Sequence, residues 1–270
     1  MAKSENEKRT LIYIRAYARM MFIEMFCIFC LIFLNGACAM FLPTQNNNIT
    51  VSISVSALIT AFFIMTNGSH LNPAVTIALT CIGECGIVQA IALIISQMLG
   101  SVLGAATLDA VQPDRFEGNL GAPVIADDLS LGSAFFCEFF ATFFVMYLTV
   151  YTIRAKASFE MTAALVFMLL MILIPSLMFL SGACFNPARS FGPWIIKDNR
   201  FDVRGWWIYY TTTILGAVVG AFFTRYLVYY DGFEDEWVPP KIESQQKNSQ
   251  TETMRKMKYT EAQNRNNDGR

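Results

Sequence analysis

Long apolar stretches separated by short polar ones fill most of residues 20–230. The first, MMFIEMFCIFCLIFLNGACAMFLPT, has a single charged residue, Glu24, and each later stretch has one at most. A helix needs roughly 20 such residues to cross about 30 Å of hydrocarbon. The pattern therefore predicts an all-α membrane protein with six transmembrane helices, placed at about 20–44, 50–66, 87–108, 132–153, 161–181 and 206–230.

The composition agrees with that pattern. Apolar residues make up 54% of the chain and charged residues 15%, against roughly 25% charged residues in soluble domains. The sequence has one histidine, and it shows neither a metal-ligand cluster nor a nucleophile with a plausible base. We therefore expect no enzyme activity, no metal and no cofactor. The seven cysteines fall in or beside apolar stretches, where small polarizable side chains serve packing.

The distribution of Lys and Arg predicts the orientation in the membrane. Fourteen of the twenty lie before the first span, between the fourth and fifth spans or in the tail. Basic residues collect on the cytoplasmic side, so both termini are expected there, as residues 1–19 and a disordered tail, 231–270. The sequon Asn48-Ile49-Thr50 would then lie outside, where N-glycosylation occurs. We expect the plasma membrane as the location.

The chain repeats itself. The triplets Asn72-Pro73-Ala74 and Asn186-Pro187-Ala188 begin 114 residues apart, and so do the intramembrane acids Glu24 and Glu138. Two matched features at one offset indicate an internal repeat. Each half contains three spans, which is an odd number, so the second half must enter the membrane inverted relative to the first. The halves extend over about 20–108 and 132–230.

The triplets predict two short helices that break the membrane pattern. Asn at an N-cap followed by Pro at the first helical position is a strong helix start. From Pro73 to about Ile82 is some ten residues, or roughly 15 Å of helix, which is half a bilayer. Non-helical backbone at membrane depth is tolerated where protein buries it or where it lines a wet cavity. The loops TNGSHL and SGACF, which precede the triplets, are therefore expected to line a pore.

The two asparagines predict what such a pore accepts. Each side-chain carbonyl can accept N–H groups of its own half-helix, so that the NH₂ donors point into the lumen. Both half-helices also direct their positive ends to that point. These donors suit a neutral molecule with a lone pair, repel cations and interrupt a proton wire of water molecules. Arg189 adds a permanent positive charge on the outer side.

These residues resemble the signature loops of the aquaporin family, the major intrinsic proteins. HLNPAVT and GACFNPARSFGP carry the resemblance, and the repeat extends it over residues 20–230. It implies a right-handed bundle of six tilted helices with two re-entrant half-helices, one pore per subunit and a homotetramer. It also implies roles for five residues: the pore asparagines Asn72 and Asn186, the constriction arginine Arg189, and the buried glutamates Glu24 and Glu138 that brace the re-entrant loops.

The resemblance further implies a selectivity filter made of Ser52, Ile174, Ala183 and Arg189. Strict water channels usually have an aromatic residue at the first of these positions and His at the second. Ser and Ile here predict a wider and more apolar ring, suited to glycerol or urea as well as water. Ser190 and the pair Tyr209-Tyr210 are more similar to the water-channel branch. The expected function is a passive channel for water and other small uncharged solutes that excludes protons and ions.

Two other classes of function remain open at this point. Inverted repeats and intramembrane acids also occur in ion-coupled secondary transporters, but Glu24 and Glu138 are symmetry mates placed to accept N–H groups of their loops. A membrane adhesion or scaffold protein of the same fold would conduct nothing. His70 could be a pH gate or a structural histidine.

Overall fold

The computed structural model describes residues 5–41, 47–113, 118–197 and 204–229. Within these ranges the chain is helical and contains no strand. The eight α-helices and one closing π-helical segment of this part are α1 Glu5–Phe41, α2 Asn47–Met65, α3 Pro73–Cys81, α4 Ile87–Val111, α5 Leu131–Arg154, α6 Phe159–Leu177, α7 Pro187–Ile196, α8 Ile208–Phe223 and the π-helix Thr224–Val228.

The long helices agree with the six predicted spans. Five described segments are long and apolar enough to cross a membrane, and they belong to α1, α4, α5, α6 and α8 with its π-helical extension. The apolar part of α2, Ile49–Met65, is shorter, as the sequence pattern also indicates. The predicted all-α fold class is confirmed.

The first helix begins earlier than predicted, at Glu5 instead of about residue 20. Nine of the sixteen residues of ENEKRTLIYIRAYARM are Glu, Lys, Arg, Leu or Ala, which all favour helix. Most of the predicted N-terminal segment 1–19 therefore continues the first span as helix. The apolar pattern marks where a helix enters hydrocarbon, and it does not report where the helix itself starts.

The two short helices begin at the Asn-Pro pairs as predicted. In both, the asparagine is the N-cap and proline occupies the first turn. Asn72 Oδ1 accepts a hydrogen bond of 2.8 Å from Ala74 N, and Asn186 Oδ1 accepts one of 2.9 Å from Ala188 N. With 9 and 10 residues, α3 and α7 are about 14 and 15 Å long.

Glycines bring α4 very close to α1 in the first half. A Cβ atom at Gly100 would lie 2.3 Å from the carbonyl oxygen of Met25, and one at Gly104 would lie 2.6 Å from that of Phe29. Small residues four apart let two helix backbones approach each other closely within a membrane. This contact fixes the position of the helix that carries Glu24.

The second half repeats this contact between α8 and α5. A Cβ at Gly216 would lie 2.3 Å from the carbonyl oxygen of Phe139, and one at Gly220 would lie 2.6 Å from that of Phe143. These carbonyls belong to residues 114 positions after Met25 and Phe29. The internal repeat therefore extends from the motifs to the helix packing.

Candidate functional site

The two asparagines bind each other's loops. Asn72 Nδ2 donates a 2.7 Å hydrogen bond to the carbonyl oxygen of Phe185, and Asn186 Nδ2 donates one of 2.8 Å to that of Leu71. A side-chain amide has two N–H donors. One donor of each asparagine is thus used across the interface between the halves, and the other remains for the lumen.

An uncommon backbone conformation makes these bonds possible. Leu71 has a φ of 55° and Phe185 has a φ of 53°, in the left-handed region that residues other than glycine seldom adopt. Gly68 and Gly182, three residues earlier in each loop, also have positive φ values of 97° and 89°. Strained residues persist where surrounding contacts hold them, and the two glutamates provide such contacts.

Glu24 holds the first loop from its position on α1. It is buried, and its carboxyl oxygens accept hydrogen bonds from His70 N at 2.6 Å and Leu71 N at 2.9 Å. Gln97 on α4 donates a third bond, of 3.0 Å, to the same carboxyl group. These bonds satisfy backbone donors that lie inside the protein and belong to no helix.

Glu138 holds the second loop from α5. It is fully buried, and it accepts bonds of 3.0 Å from the backbone N–H groups of Cys184 and Phe185. The Ser181 hydroxyl donates to it at 2.7 Å, while Tyr209 on α8 donates to the Ser181 carbonyl oxygen at 2.7 Å. Both predicted loop supports therefore contact the loops through the same two backbone positions.

Side chains from α1, α2, α3, α5, α6 and α7 line a cavity of about 450 Å³ that contains both asparagines. Arg189 also lines it. The Arg189 Nη1 donates a 2.9 Å bond to the carbonyl oxygen of Gly182 and a second bond to that of Ala183. These carbonyls hold the guanidinium at one wall of the cavity.

Three of the four predicted filter residues line this cavity. Ile174, Ala183 and Arg189 are among the lining residues, whereas Ser52 is fully buried and is not among them. Asn35 of α1 lines the cavity as well, and the sequence reasoning missed it. The available signal was one carboxamide inside the apolar run LIFLNGACAM.

His70 lies beside the cavity and is partly buried. Its Nδ1 lies 3.1 Å from the Thr76 hydroxyl, which also accepts a 3.1 Å bond from Gln97. The histidine is therefore part of the same hydrogen-bond group as Glu24.

A charged cluster stands where the chain leaves α3. Glu84 lines the cavity, and its Oε1 lies 3.0 Å from Arg154 Nη2 and 3.1 Å from Arg225 Nη1. Arg225 Nη1 also donates to the Ile82 carbonyl oxygen at 2.6 Å. The sequence reasoning did not single out Glu84, because nothing local in CIGECG marks its distant partners.

Two predicted features remain predictions. Asn48 falls in the first turn of α2, but its side chain lies outside the described part of the chain. The tail 231–270 also lies outside the described residues.

A helical membrane protein with two capped half-helices that meet at one lined cavity is the class that this fold and site define. A statistical model of the Major intrinsic protein family matches residues 13–224. The chain belongs to the major intrinsic protein family, and it is a multi-pass integral membrane protein. The predicted resemblance is confirmed.

Individual relatives agree with this assignment. Aquaporin-4 of Mus musculus is 32% identical over 164 residues, which cover 60% of this chain and 50% of that protein. The lens fiber major intrinsic protein of Ovis aries is 32% identical over 165 residues, covering 60% of this chain and 62% of that protein. The chain thus spans about half to three fifths of the length of these curated relatives.

A solved structure supports the fold. The X-ray structure of the aquaglyceroporin from Plasmodium falciparum superposes with a TM-score of 0.72 and covers 79% of this chain and 97% of that one. The two sequences are 19% identical, so this likeness speaks for the fold alone.

Proposed function

We propose that this protein is a passive channel for water and other small uncharged solutes, and that it excludes protons and ions. The observation that carries the proposal is the pair Asn72 and Asn186 in one cavity with Arg189. Each asparagine keeps one N–H donor after bonding the opposite loop. The names of the relatives, aquaporin and aquaglyceroporin, support the same reading.

The asparagines orient what passes between them. Two N–H donors, together with the positive ends of α3 and α7, favour a molecule that presents a lone pair. A water molecule at this point turns its oxygen to both amides, so its hydrogens no longer continue a chain of hydrogen bonds through the midplane. Proton transfer along a water wire is thereby interrupted.

Arg189 supplies the barrier to cations. Its guanidinium is permanently charged, and the carbonyls of Gly182 and Ala183 fix it at the cavity wall. The interaction between charges strengthens in a narrow passage of low dielectric constant. A cation is repelled there, whereas a neutral solute can accept a hydrogen bond from the arginine.

The neighbours of Arg189 support passage of more than water. Ile174 and Ala183 add only apolar surface, so the ring offers one polar wall and one apolar wall. Glycerol and urea fit such a ring. Glu24 and Glu138 act as supports for the loops, because their oxygens already bind loop donors. His70 has a structural role beside them.

The same proposal includes how the protein sits in the cell. It is a homotetramer of the plasma membrane with both termini in the cytoplasm and Asn48 glycosylated outside. The loop charges and the family resemblance support these statements. For the orientation, Arg265→Cys should react with an impermeant thiol reagent only after the membrane is opened, and reaction in intact cells would contradict it.

Purified protein reconstituted into vesicles tests the function. We expect swelling with water, glycerol and urea that follows the solute gradient and ignores Na⁺ or H⁺ gradients. Dependence on such a gradient would indicate a coupled transporter, and swelling equal to that of empty vesicles would indicate a scaffold. Arg189→Val should add a proton or cation leak, while Arg204→Val, which removes the same charge outside the cavity lining, should not. Background ion current in an Arg189→Val channel that still passes solute would contradict the barrier.

A further inference from the structure

Asn35 is a polar side chain in an unusual place. It stands on α1 in an otherwise apolar run, is only 3% exposed, and lines the same cavity as Ile174, Ala183 and Arg189. Its Oδ1 is buried and has no hydrogen-bond partner among the described residues. Buried polar atoms in native proteins nearly always have a partner. Asn35 therefore has a hydrogen-bonding group free for whatever occupies the cavity.

Asn35 stands at the height of the predicted filter. It lies six residues before the end of α1, and Ser52 lies five residues after the start of α2. These consecutive helices are joined by five residues and pack on each other through a cluster that contains Leu31 and Val55, so they run antiparallel. These distances from the connection differ by one residue, or about 1.5 Å of helix, so Asn35 and Ser52 lie at about the same level.

The two residues differ in what they reach. Ser52 is fully buried, it takes part in an interaction within the protein, and it does not line the cavity. Asn35 lines the cavity, and its carbonyl oxygen is buried without a hydrogen-bond partner among the described residues. A serine is too short to extend from α2 into the lumen where an aromatic ring would reach, and the wall at this level is supplied by α1 instead.

The repeat provides an internal comparison for Asn35. The matching position in the second half, 114 residues later, is Thr149, which also lines the cavity. The Thr149 hydroxyl donates a 2.8 Å bond to the Val145 carbonyl oxygen of its own helix. The second half thus satisfies its polar group locally, and only the first half presents a free carboxamide at this position.

We propose that Asn35, in place of Ser52, is the fourth side chain of the outer constriction and selects urea and other small neutral amides. The proposal rests on the channel function proposed above. Arg189 offers donors only, and the side chains of Ile174 and Ala183 offer no hydrogen-bonding group. A carboxamide adds both an acceptor and donors. A urea molecule can therefore place its carbonyl oxygen on Arg189 and bind the Asn35 carboxamide through its other edge.

Glycerol and water gain less from this arrangement. Their hydroxyl groups can bind either residue, but they have no rigid pair of a carbonyl and N–H groups at opposite edges. Removing the carboxamide should therefore lower urea and acetamide flux more than glycerol or water flux. The expected loss is about fivefold, which corresponds to one net hydrogen bond.

The experiment compares solutes in the same vesicles, so that the amount of inserted protein cancels. Asn35→Leu, which keeps the size and removes the polar group, should lower the urea-to-water and acetamide-to-water permeability ratios about fivefold. Asn35→Thr places in the first half the residue that the second half already contains, and it should do the same. Thr107→Val, on the outer face of α4 and bonded within its own helix, serves as the control and should leave both ratios unchanged.

Several outcomes separate the possibilities. Unchanged ratios in the Asn35 variants would overturn the proposal, and so would a changed ratio in Ser52→Ala alone. If Asn35→Leu does not insert, Asn35→Thr decides the question by the same ratios. An unmodified protein that passes neither water nor urea, or passes them only with a coupled ion, would instead contradict the channel function itself.

Discussion

Val75 and Arg189 occupy matching positions in the two halves, each three residues after its capping asparagine. Both line the cavity. Around them the halves agree closely, because each has a buried glutamate that binds two loop N–H groups and an asparagine that binds the opposite loop. The comparison teaches that the repeat duplicates the support of the two asparagine loops, whereas the arginine in the cavity wall belongs to the second half alone.

The largest expected effect concerns the buried glutamates that support the loops in both halves. Glu138→Gln replaces one acceptor oxygen by an NH₂ group that faces loop donors. It should destabilise the folded protein by about 2–4 kcal/mol, because each unsatisfied buried group costs about 1–3 kcal/mol. Glu24→Gln should cost a similar amount. Thermal unfolding in detergent, followed by size-exclusion chromatography, measures both. The exposed Glu160→Gln is the control, and a loss confined to one half would break the equivalence of the halves.

An arginine at Val75, the first-half position that matches Arg189, tests the difference between the two halves directly. Val75 is 8% exposed and packs with Ala74 and Leu79, so an arginine at this position would introduce a second charge at a narrow point. Val75→Arg should lower water permeability at least about a hundredfold, because a poorly solvated charge costs several kcal/mol and fills the lumen. Vesicle swelling measures this effect. Val75→Leu should conduct, and a conducting Val75→Arg channel would show that the first half tolerates a charge.

The close glycine contacts between α1 and α4 and between α5 and α8 should lose the same stability when a methyl group is added. Gly100→Ala and Gly216→Ala each place a methyl group 2.3 Å from a carbonyl oxygen, which forces the helices apart and should cost about 1–3 kcal/mol. The unfolding temperature in detergent measures the loss. At Gly132 the nearest atom would lie 3.8 Å away, so Gly132→Ala should change little. Unequal losses at Gly100 and Gly216 would show that the two helix pairs are held differently.

The smallest effect is expected at Glu84. Its contacts with Arg154 and Arg225 involve side chains that are 19–33% exposed, and such surface pairs contribute about 0–1 kcal/mol. Glu84→Gln should change stability by less than about 1 kcal/mol and water permeability by less than about twofold. Vesicle swelling at low and high salt measures the permeability. A large change would mean that this cluster controls entry to the cavity.

The sequence predicted what depends on local chemistry. The Asn-Pro pairs define both short helices because a capping side chain and a proline act within one turn. Glu24 and Glu138 lie far from these pairs along the chain, and the 114-residue repeat and the family resemblance predicted their role as loop supports. Each of these features can be recognised without knowing how the helices are rotated about their axes.

The sequence could not predict what depends on that rotation. Whether Ser52 or Asn35 reaches the lumen is decided by how α1 and α2 pack, and their apolar stretches are too uniform to mark one face. The bonds from Asn72 and Asn186 to the opposite loops required positive φ values at Leu71 and Phe185. Two bulky residues give no signal of such a conformation.

The bonds between the asparagines and the opposite loops have a consequence for protein synthesis. Asn72 binds a carbonyl oxygen that lies 113 residues further along the chain. At about 5–20 residues per second, the ribosome needs roughly 6 to 23 s to make that stretch. During this interval the first loop must wait, with its amide unpaired, while three more helices enter the membrane. The contact between the two loops is therefore completed late, when the second triplet has been made. A chain that stops before Phe185 lacks the partner of Asn72.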